Sequence, residues 1–482
     1  MGDAIQFVLD GRLRTIRGLD PNTTVLEWLR GPERRSGTKE GCAEGDCGAC
    51  TVAVAETDGA GTTHWRAVNA CIQPIATLHG RWLATVESLC GSDDALHPVQ
   101  QAMVETHASQ CGYCTPGFVM SLFALRHDPA PATAEATLRA LAGNLCRCTG
   151  YRPILAAAGR MRETAPGPDR FDAEVPAVAA LLAASCGDAE LGYDADGRRW
   201  HAPRTLAALD RVLAARPTAT LVAGATDLGL EITKRHRRFD DLVFLGGVDE
   251  LRGVRRGAGA LDLGAAVTWA DAHAPLAAAW PTLDEFVARF AGLQIRNVAT
   301  LGGNIANASP IGDGSPLFLA LDATLLLRRD GVQRALPLRE FFLGYRRTAL
   351  QPGEIVERIV VPLPTPSTRF AAWKVAKRYD SDISAVCGCF RVELDARGRI
   401  AEAAIAFGGM AAVPLRVPDA EAAVVGRDLD DATAEAGARA IASVLAPIDD
   451  LRASAGYRRD VAGALWRRAV AAFATGKAAR HG

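Results

Sequence analysis

The sequence predicts a multidomain protein of the α+β class. Its 482 residues amount to roughly three or four domains of ordinary size. The spacing of apolar residues also changes along the chain, from strand-like alternation at the start to helical spacing from Ser88 and an α/β pattern after Thr205. A composition of 49% hydrophobic and 23% charged residues supplies ample core for such domains.

Charge and hydropathy argue against several classes of function. The formal net charge is −1, so nothing indicates a nucleic-acid or acidic-membrane partner. No apolar run approaches membrane-spanning length, and Met1–Asp10 lacks the basic and apolar build of a signal peptide. We therefore expect a cytoplasmic protein that does not bind membranes.

The first predicted domain covers residues 1–86. Two alternating segments flank an Asp-Gly turn at residues 10 and 11, which is a strong signal for a β-hairpin. Asn22 or Thr23 is expected to cap a short helix, and Trp82–Val86 is expected to be the last strand. Two strands, a helix and a cysteine-bearing loop predict a small β-grasp domain of ferredoxin type.

The cysteine loop of this domain has the spacing C-x4-C-x2-C, with one more cysteine downstream. A disulfide framework does not suit a long chain without an export signal, and zinc sites more often use C-x2-C pairs at both ends. The spacing is that of a plant-type [2Fe–2S] cluster, and the interleaved glycines let backbone amides point at the sulfurs. The predicted ligands are Cys42, Cys47, Cys50 and Cys71.

A second, helical domain is predicted over residues 87–164. Pro98–Thr106 is a plausible helix, and Thr115 followed by Pro116 predicts a helix cap and first turn. A C-x2-C pair and a C-x-C pair lie at the ends of two predicted helices, where four thiolates could hold zinc or a second [2Fe–2S] cluster. The C-x-C pair suits a zinc knuckle poorly, which favours the cluster. The predicted ligands are Cys111, Cys114, Cys146 and Cys148.

The other cysteines and the following segment suggest no chemistry. Cys90, Cys186, Cys387 and Cys389 lie outside any ligand spacing and are expected to be small buried apolar residues. Residues 165–199 are rich in Pro, Gly and Asp around a short apolar helix, which predicts a linker.

Two glycine-rich turns follow in the α/β region. The first is Gly224-Ala225-Thr226-Asp227-Leu228-Gly229, directly after a short strand, and the second is Thr300-Leu301-Gly302-Gly303-Asn304. Glycines at such turns let amides approach a phosphate closely. Neither turn is a Walker loop or a G-x-G-x-x-G motif, so from the residues alone they could also be ordinary tight turns.

The combination of these motifs resembles the molybdenum hydroxylases, the family of xanthine dehydrogenase and aldehyde oxidase. The resemblance rests on the cysteine spacings, on QCGYCTPG and LCRCTGY, and on LVAGATDLG, FAGLQIRNVATLGGNIANASPIGD and YRRTALQPGEI. It implies an all-α helical-bundle [2Fe–2S] domain after the ferredoxin domain, an α/β FAD-binding domain over 200–368 and a C-terminal α+β flavoprotein domain over 369–482.

The resemblance also implies which residues bind FAD. Ala225 stands where relatives often have Asn or Gly, and Tyr345, Asp227 and the loop Arg378–Asp382 fall where the family admits NAD to the flavin. The implied FAD-binding residues are Leu221, Val222, Ala223, Gly224, Ala225, Thr226, Asp227, Leu228, Phe290, Thr300, Gly303, Asn304, Asp313, Val356 and Lys374.

The implied function is electron transfer. No stretch of the chain resembles the family's molybdopterin domain, so we expect no catalytic residue here and a molybdopterin-binding partner chain, in an α2β2 heterotetramer. Electrons from purine hydroxylation at that partner would pass through the Cys111-type cluster, the Cys42-type cluster and FAD to NAD+. Two alternatives stay open: the equivalent subunit of a hydroxylase acting on an aldehyde or N-heterocycle, and a non-catalytic assembly or redox-sensing protein.

Overall fold

The structure is a computed structural model that describes residues 2–57, 63–91, 95–129, 133–164, 167–187 and 189–476. The chain forms two compact units. The first unit consists of Met1–Val248 and Gly292–Ala299, and the second consists of Asp249–Ala291 and Thr300–Gly482. Each unit is described by itself below.

The first unit begins with a five-stranded mixed sheet of order β2-β1-β5-β3-β4, which confirms the predicted hairpin and β-grasp domain. Strand β1 pairs antiparallel with β2 and parallel with β5. The elements are β1 Ile5–Leu9, β2 Arg12–Ile16, α1 Val25–Arg30, β3 Thr51–Thr57, β4 Thr63–Asn69 and β5 Trp82–Ala84.

Two predicted boundaries in this domain were wrong. Helix α1 is capped by Thr24, not by Asn22 or Thr23, because Thr24 and Glu27 form a reciprocal capping box. The Asn22 side chain instead makes two hydrogen bonds to the backbone of Phe239. The last strand ends at Ala84, because Thr85 is the N-cap of a short 3₁₀ helix and forms a reciprocal capping box with Ser88.

Five helices follow and enclose a separate apolar core with the outer face of the sheet. They are α2 Pro98–Glu105, α3 Thr115–Arg126, α4 Ala134–Leu141, α5 Arg152–Thr164 and α6 Arg170–Ser185. Thr115 was predicted to cap α3 but is its first residue, with Cys114 at the cap position. The Thr115 hydroxyl instead forms a hydrogen bond of 2.8 Å with the hydroxyl of Ser109.

The segment predicted as a linker, 165–199, is largely regular structure. Helix α6 is capped by Asp169 and buries Phe171 in the helical core. The segment ends in a four-stranded sheet of order β6-β7-β9-β8, anchored by the buried Tyr193 and Trp200. Burial of these two large aromatic side chains stabilises regular structure in a segment whose polar composition predicted a linker. The elements are β6 Leu191–Ala195, β7 Arg198–Ala202, α7 Leu206–Ala215, β8 Thr220–Val222, α8 Leu228–Thr233 and β9 Asp241–Phe244.

The second unit contains a five-stranded sheet of order β10-β11-β16-β12-β13 and a two-stranded sheet of β14 and β15. Its strands are β10 Val254–Arg256, β11 Ala260–Gly264, β12 Thr324–Arg329, β13 Val332–Pro337, β14 Phe342–Gly344, β15 Arg347–Thr348 and β16 Ile355–Pro362. Its helices here are α9 Trp269–Ala279, α10 Leu283–Ala288, α12 Leu301–Ala306 and α13 Gly314–Ala320, while α11 Leu293–Arg296 lies in the first unit.

The rest of the second unit is a four-stranded antiparallel sheet of order β17-β18-β19-β20 covered by helices. Trp373, Phe390 and Trp466 lie at the centre of its core. The elements are β17 Thr368–Val375, β18 Val386–Leu394, β19 Ile400–Gly408, β20 Leu415–Arg416, α14 Pro418–Val424, α15 Asp431–Val444 and α16 Ala455–Thr475. Among the described residues, none of the helices is long and apolar enough to cross a membrane.

Candidate cofactor-binding sites

The first four predicted cysteines, which we call the ferredoxin site, come together in the structure. The loop from Cys42 to Cys50 wraps around its own sulfurs: the amides of Asp46 and Cys47 donate to Cys42 Sγ over 3.3 Å each. The amide of Cys42 donates in return to Cys47 Sγ over 3.3 Å. Cys71 completes the site through sulfur contacts with Cys42 and Cys50.

Hydrogen bonds give the thiols of the ferredoxin site different pKa values. The hydrogen bond from the Cys47 thiol lowers the pKa of Cys42, with further help from Cys71 and the surrounding amides. The same contacts raise the pKa of Cys47 and Cys71. Thiolate is the ligand form of cysteine, and amide donors around sulfur stabilise it. Four convergent soft donors inside a ring of amides fit a [2Fe–2S] cluster.

The second set, which we call the helical site, also converges, at the ends of α3 and α5. Cys148 Sγ lies 3.5 Å from Cys111 Sγ, and Cys114 contacts Cys146. The hydroxyl of Tyr151 accepts a hydrogen bond from the Cys146 amide over 3.0 Å. This donor set likewise fits a [2Fe–2S] cluster.

The helical site differs from the ferredoxin site in exposure. Cys111 and Cys148 are exposed and Cys114 and Cys146 are half-buried, whereas Cys50 and Cys71 are buried. Burial raises the pKa of Cys114 to about 12. The amide of Tyr113 lowers the pKa of Cys111.

The two sites are joined directly through the backbone. The amide of Leu145, next to the ligand Cys146, donates to the carbonyl of the ligand Cys47 over 2.9 Å. The Asn144 side chain donates to Gly48 O over 3.1 Å. Each ligand loop is thus hydrogen-bonded to the other.

The first glycine turn lies beside the ferredoxin site. Gln73, two residues after Cys71, donates to Gly224 O over 2.9 Å. A side chain at Gly224 would overlap the carbonyl of Val298, so internal packing already requires this glycine. Ala225 has a φ of 58°, a left-handed conformation that Gly or Asn adopts more readily. Strain of this kind is often retained at a ligand site.

The predicted FAD residues are divided between the two units. The first unit contains Leu221, Val222, Ala223, Gly224, Ala225, Thr226, Asp227 and Leu228, and the second contains Phe290, Thr300, Gly303, Asn304, Asp313, Val356 and Lys374. The assignment of these residues to FAD stays a prediction.

The backbone amides of the second glycine turn are already hydrogen-bonded within the protein. Gly303 N donates to the Thr300 hydroxyl, which caps α12. The amides of Leu301 and Gly302 donate to the carbonyls of Val267 and Ala265. These amides already have partners within the protein, so they do not form the open phosphate cradle that we expected from the double glycine.

Side chains of the second unit offer other contacts for a cofactor. Lys374 and Asp313 form a buried ion pair of 2.7 Å, and Ser384 donates to the same carboxylate over 2.6 Å. Asn304 Oδ1 and Ser315 Oγ are two of several buried side-chain atoms, among the described residues, that have no hydrogen-bond partner. Such atoms normally have one, so their state fits a polar ligand at this position.

The residues predicted to admit NAD lie at the surface of their own units. Tyr345 is exposed in one unit and Asp227 in the other. The loop Arg378–Asp382 is closed by a bond from the Arg378 amide to the Asp382 carboxylate. Arg289 donates to Tyr379 O over 3.1 Å and lies over the Tyr379 ring, so the loop is more than a solvated turn.

Comparison with known proteins identifies these domains. The family model of a 2Fe-2S iron-sulfur cluster binding domain matches 7–75, and that of a [2Fe-2S] binding domain matches 85–159. The model of the FAD binding domain in molybdopterin dehydrogenase matches 193–364, and that of the CO dehydrogenase flavoprotein C-terminal domain matches 371–473. The chain belongs to the molybdenum hydroxylase family. Two [2Fe–2S]-binding domains and an FAD-binding domain are therefore present.

Curated members of the family align along most of the chain. Xanthine dehydrogenase of Emericella nidulans is 34% identical over 486 residues, which cover 89% of this chain and 35% of that protein. Xanthine dehydrogenase/oxidase of Mus musculus is 34% identical and covers 85% of this chain and 34% of its own length. The chain therefore spans about a third of the length of these relatives.

Solved structures of the family match more than half of the chain. One chain of carbon monoxide dehydrogenase from Hydrogenophaga pseudoflava aligns with a TM-score of 0.54 and 29% identity, over 57% of this chain and 96% of that one. Quinoline 2-oxidoreductase from Pseudomonas putida 86 aligns with a TM-score of 0.53, 29% identity and the same coverage.

The eight cysteines follow from the sequence, whereas four buried polar residues beside the candidate sites do not. Gln73, Asn144, Gln294 and Ser384 are buried polar residues with partners far away in the sequence. In the sequence, only Gln73 and Asn144 could have been noticed, because each lies two residues from a predicted ligand cysteine. Gln294 lies in the FAGLQIRN block, where nothing in the local sequence distinguishes it.

Proposed function

We propose that this chain is the electron-transfer subunit of a xanthine dehydrogenase, similar to the small subunit of the bacterial enzymes. The observation that supports this most is the order of contacts within the first unit. The helical site is hydrogen-bonded to the ferredoxin site through Leu145 and Cys47, and the ferredoxin site to the Gly224 turn through Gln73. An electron relay needs each carrier to lie next to the following one. These contacts link the helical site, the ferredoxin site and the Gly224 turn in that sequence.

The protein's contribution to the relay is to hold and tune its carriers. When bound, the two clusters would pass single electrons, and FAD would collect two of them for transfer as hydride to NAD+. The amides of Asp46 and Cys47 favour charge on the sulfur of Cys42. Such hydrogen bonds, together with burial and exposure, set the reduction potential of each cluster.

The exposed helical site is proposed to face the partner chain. Tyr113 is 50% exposed and Tyr151 39% exposed beside the exposed Cys111 and Cys148. Aromatic residues of this kind are enriched at protein interfaces. A molybdopterin-binding subunit, in an α2β2 heterotetramer, would dock here and deliver electrons from hypoxanthine or xanthine.

A purine is the first candidate substrate. The relatives named above are xanthine dehydrogenases, which favours a purine. The similarity to quinoline 2-oxidoreductase keeps an N-heterocycle, or an aldehyde, as the second candidate. The substrate pocket in either case would belong to the partner chain.

The proposal is tested by separating the two ends of the relay. The complex purified with its partner should reduce NAD+ with xanthine and reduce an artificial dye with NADH. Cys148→Ser should abolish the first activity and leave the second largely intact, because electrons from the partner must pass through the helical site, whereas electrons from NADH to the dye need only the flavin.

Two results would argue against this function. The chain alone should not hydroxylate xanthine, and hydroxylation by the chain free of partner and molybdenum would refute the electron-transfer role. Oxidation of an aldehyde or quinoline but not xanthine by the assembled complex would select the second candidate substrate.

A further inference from the structure

A buried glutamine from the flavoprotein segment contacts both ligand loops. Gln294 is the second residue of the short helix α11 and is 1% exposed. Its Nε2 lies 2.8 Å from Asn144 Oδ1, 3.2 Å from Ser121 Oγ and 3.3 Å from Thr51 Oγ1. All four residues belong to the first unit. A buried, hydrogen-bonded polar cluster is costly unless its geometry is well defined.

The partners of Gln294 lie on the elements that position the cysteines. Thr51 directly follows the ligand Cys50, and Asn144 precedes the ligand Cys146 by two residues. Ser121 lies on α3, whose cap position is the ligand Cys114. One side chain therefore contacts the supports of the ferredoxin site and of the helical site together.

Close backbone packing leaves these loops little freedom around Gln294. A side chain on Gly143 would overlap the Gln294 amide, and one on Gly292 would lie 2.6 Å from the Gly143 backbone. A side chain on Gly48 would overlap the Gly143 carbonyl. These distances are shorter than the contacts that Cβ atoms make in proteins. The three segments therefore pack too closely to accept a side chain at any of these glycines.

We propose that Gln294 is a positioning residue that fixes the two cluster-ligand loops relative to each other and thereby sets the rate of electron exchange between the two sites. The inference rests on the proposed function. In the step concerned, one electron would leave the reduced helical site and enter the oxidised ferredoxin site, with no bond formed or broken and no proton transferred. Gln294 touches neither set of cysteines and acts through Asn144, Ser121 and Thr51.

The network shows why loss of Gln294 should leave the fold intact. Without it, Ser121 still donates to Asn144 Oδ1 over 2.6 Å. Asn144 still donates to Gly48 O, and Thr51 still donates to the same carbonyl over 2.7 Å. Each former partner keeps another hydrogen bond, so no buried group is orphaned.

The test compares two variants of the full chain, each loaded anaerobically with iron and sulfide. Gln294→Met keeps the approximate length of the side chain and removes its hydrogen bonds. Asn297→Leu is the matched control, because Asn297 lies at the end of the same helix but donates to Ala67 O over 2.8 Å, away from both ligand loops. Iron content, redox titration and the magnetic interaction between the reduced clusters are measured by elemental analysis and electron paramagnetic resonance. The exchange rate is measured after a one-electron pulse from a viologen radical.

Gln294→Met should slow the exchange severalfold, because the rate of electron exchange falls as the distance between the two sites grows. It should also weaken the magnetic interaction, with full iron content and nearly unchanged potentials. Asn297→Leu should match the wild type in every readout. Ser121→Ala, which removes one of the three partners, should give a smaller effect in the same direction.

The inference is overturned if the exchange rate and the magnetic interaction of Gln294→Met equal those of the wild type at full iron content. It is also overturned if Asn297→Leu produces the same change. Loss of iron from Gln294→Met, combined with a wild-type rate in Ser121→Ala, would show a structural role only. A wild-type chain without two iron clusters would instead refute the proposed function itself.

Discussion

The ferredoxin site and the helical site use the same four donors in opposite environments. In the ferredoxin site Cys50 and Cys71 are 1% and 2% exposed, and amides of the surrounding loop donate to the sulfurs. In the helical site Cys111 and Cys148 are exposed. A buried site is suited to exchanging electrons with other sites of the same chain. An exposed site is suited to exchanging electrons with a partner chain. The difference between the sites agrees with the proposed path, in which the helical site receives electrons from the partner chain.

Removing one ligand from each site should separate the two sites most completely. Wild-type chain should contain about four iron and four labile sulfide, from two [2Fe–2S] clusters. Cys42→Ser and Cys148→Ser should each lose about half of this iron, since each disrupts one cluster. Electron paramagnetic resonance should show that the signals lost in the two variants differ.

The outcome that contradicts this assignment is specific for each site. Zinc in place of iron at the helical site after anaerobic purification would overturn its assignment as a cluster. Loss of the same signal in both variants would show that the eight cysteines do not form two independent sites.

The difference in exposure should appear as a difference in iron release. A water-soluble iron chelator should remove iron from the helical site first, because two of its ligands are exposed, and the ferredoxin site should follow more slowly. The two phases can be followed by absorbance, with Cys42→Ser and Cys148→Ser assigning each phase to its site. Release of iron from the ferredoxin site first would contradict the exposures described here.

A smaller effect is expected at the packing contact between the two domains. A side chain on Gly117 of α3 would overlap the carbonyl of Gly48 in the ferredoxin loop, so Gly117→Ala should destabilise the loaded chain by about 1–3 kcal/mol. Gly159 of α5 is the control, because nothing lies within 4 Å of a side chain added there. Gly159→Ala should be neutral or stabilise by about 0.5–1 kcal/mol, since Ala is the better helix former.

Urea unfolding of both glycine variants measures these effects. Equal stabilities for Gly117→Ala and Gly159→Ala would mean that the ferredoxin loop and α3 do not pack as the structure shows.

The sequence predicted the features that depend on covalent spacing. The C-x4-C-x2-C, C-x2-C and C-x-C patterns place ligands within a few residues of each other, so the grouping of most cysteines follows from the chain itself. The hairpin of β1 and β2 is equally local, because its Asp-Gly turn sets the pairing.

The features that depend on distant partners could not be predicted in this way. Asn22 resembles a helix cap in the sequence, yet its side chain is bound to Phe239. Gly303 resembles a phosphate-binding glycine, yet its amide is bound to Thr300. Gln294 gave no local signal, because its three partners lie more than a hundred residues away. The chain's polar composition near residue 190 concealed the buried Tyr193 and Trp200.

The most direct test of the electron-transfer account is an anaerobic titration of the isolated, cofactor-loaded chain with NADH, followed by absorbance and electron paramagnetic resonance. The account predicts that NADH reduces the flavin and that both cluster signals then appear without any partner or molybdenum, with Cys42→Ser and Cys148→Ser assigning them. A chain that contains FAD and both clusters but whose clusters stay oxidised after NADH is added would contradict the account.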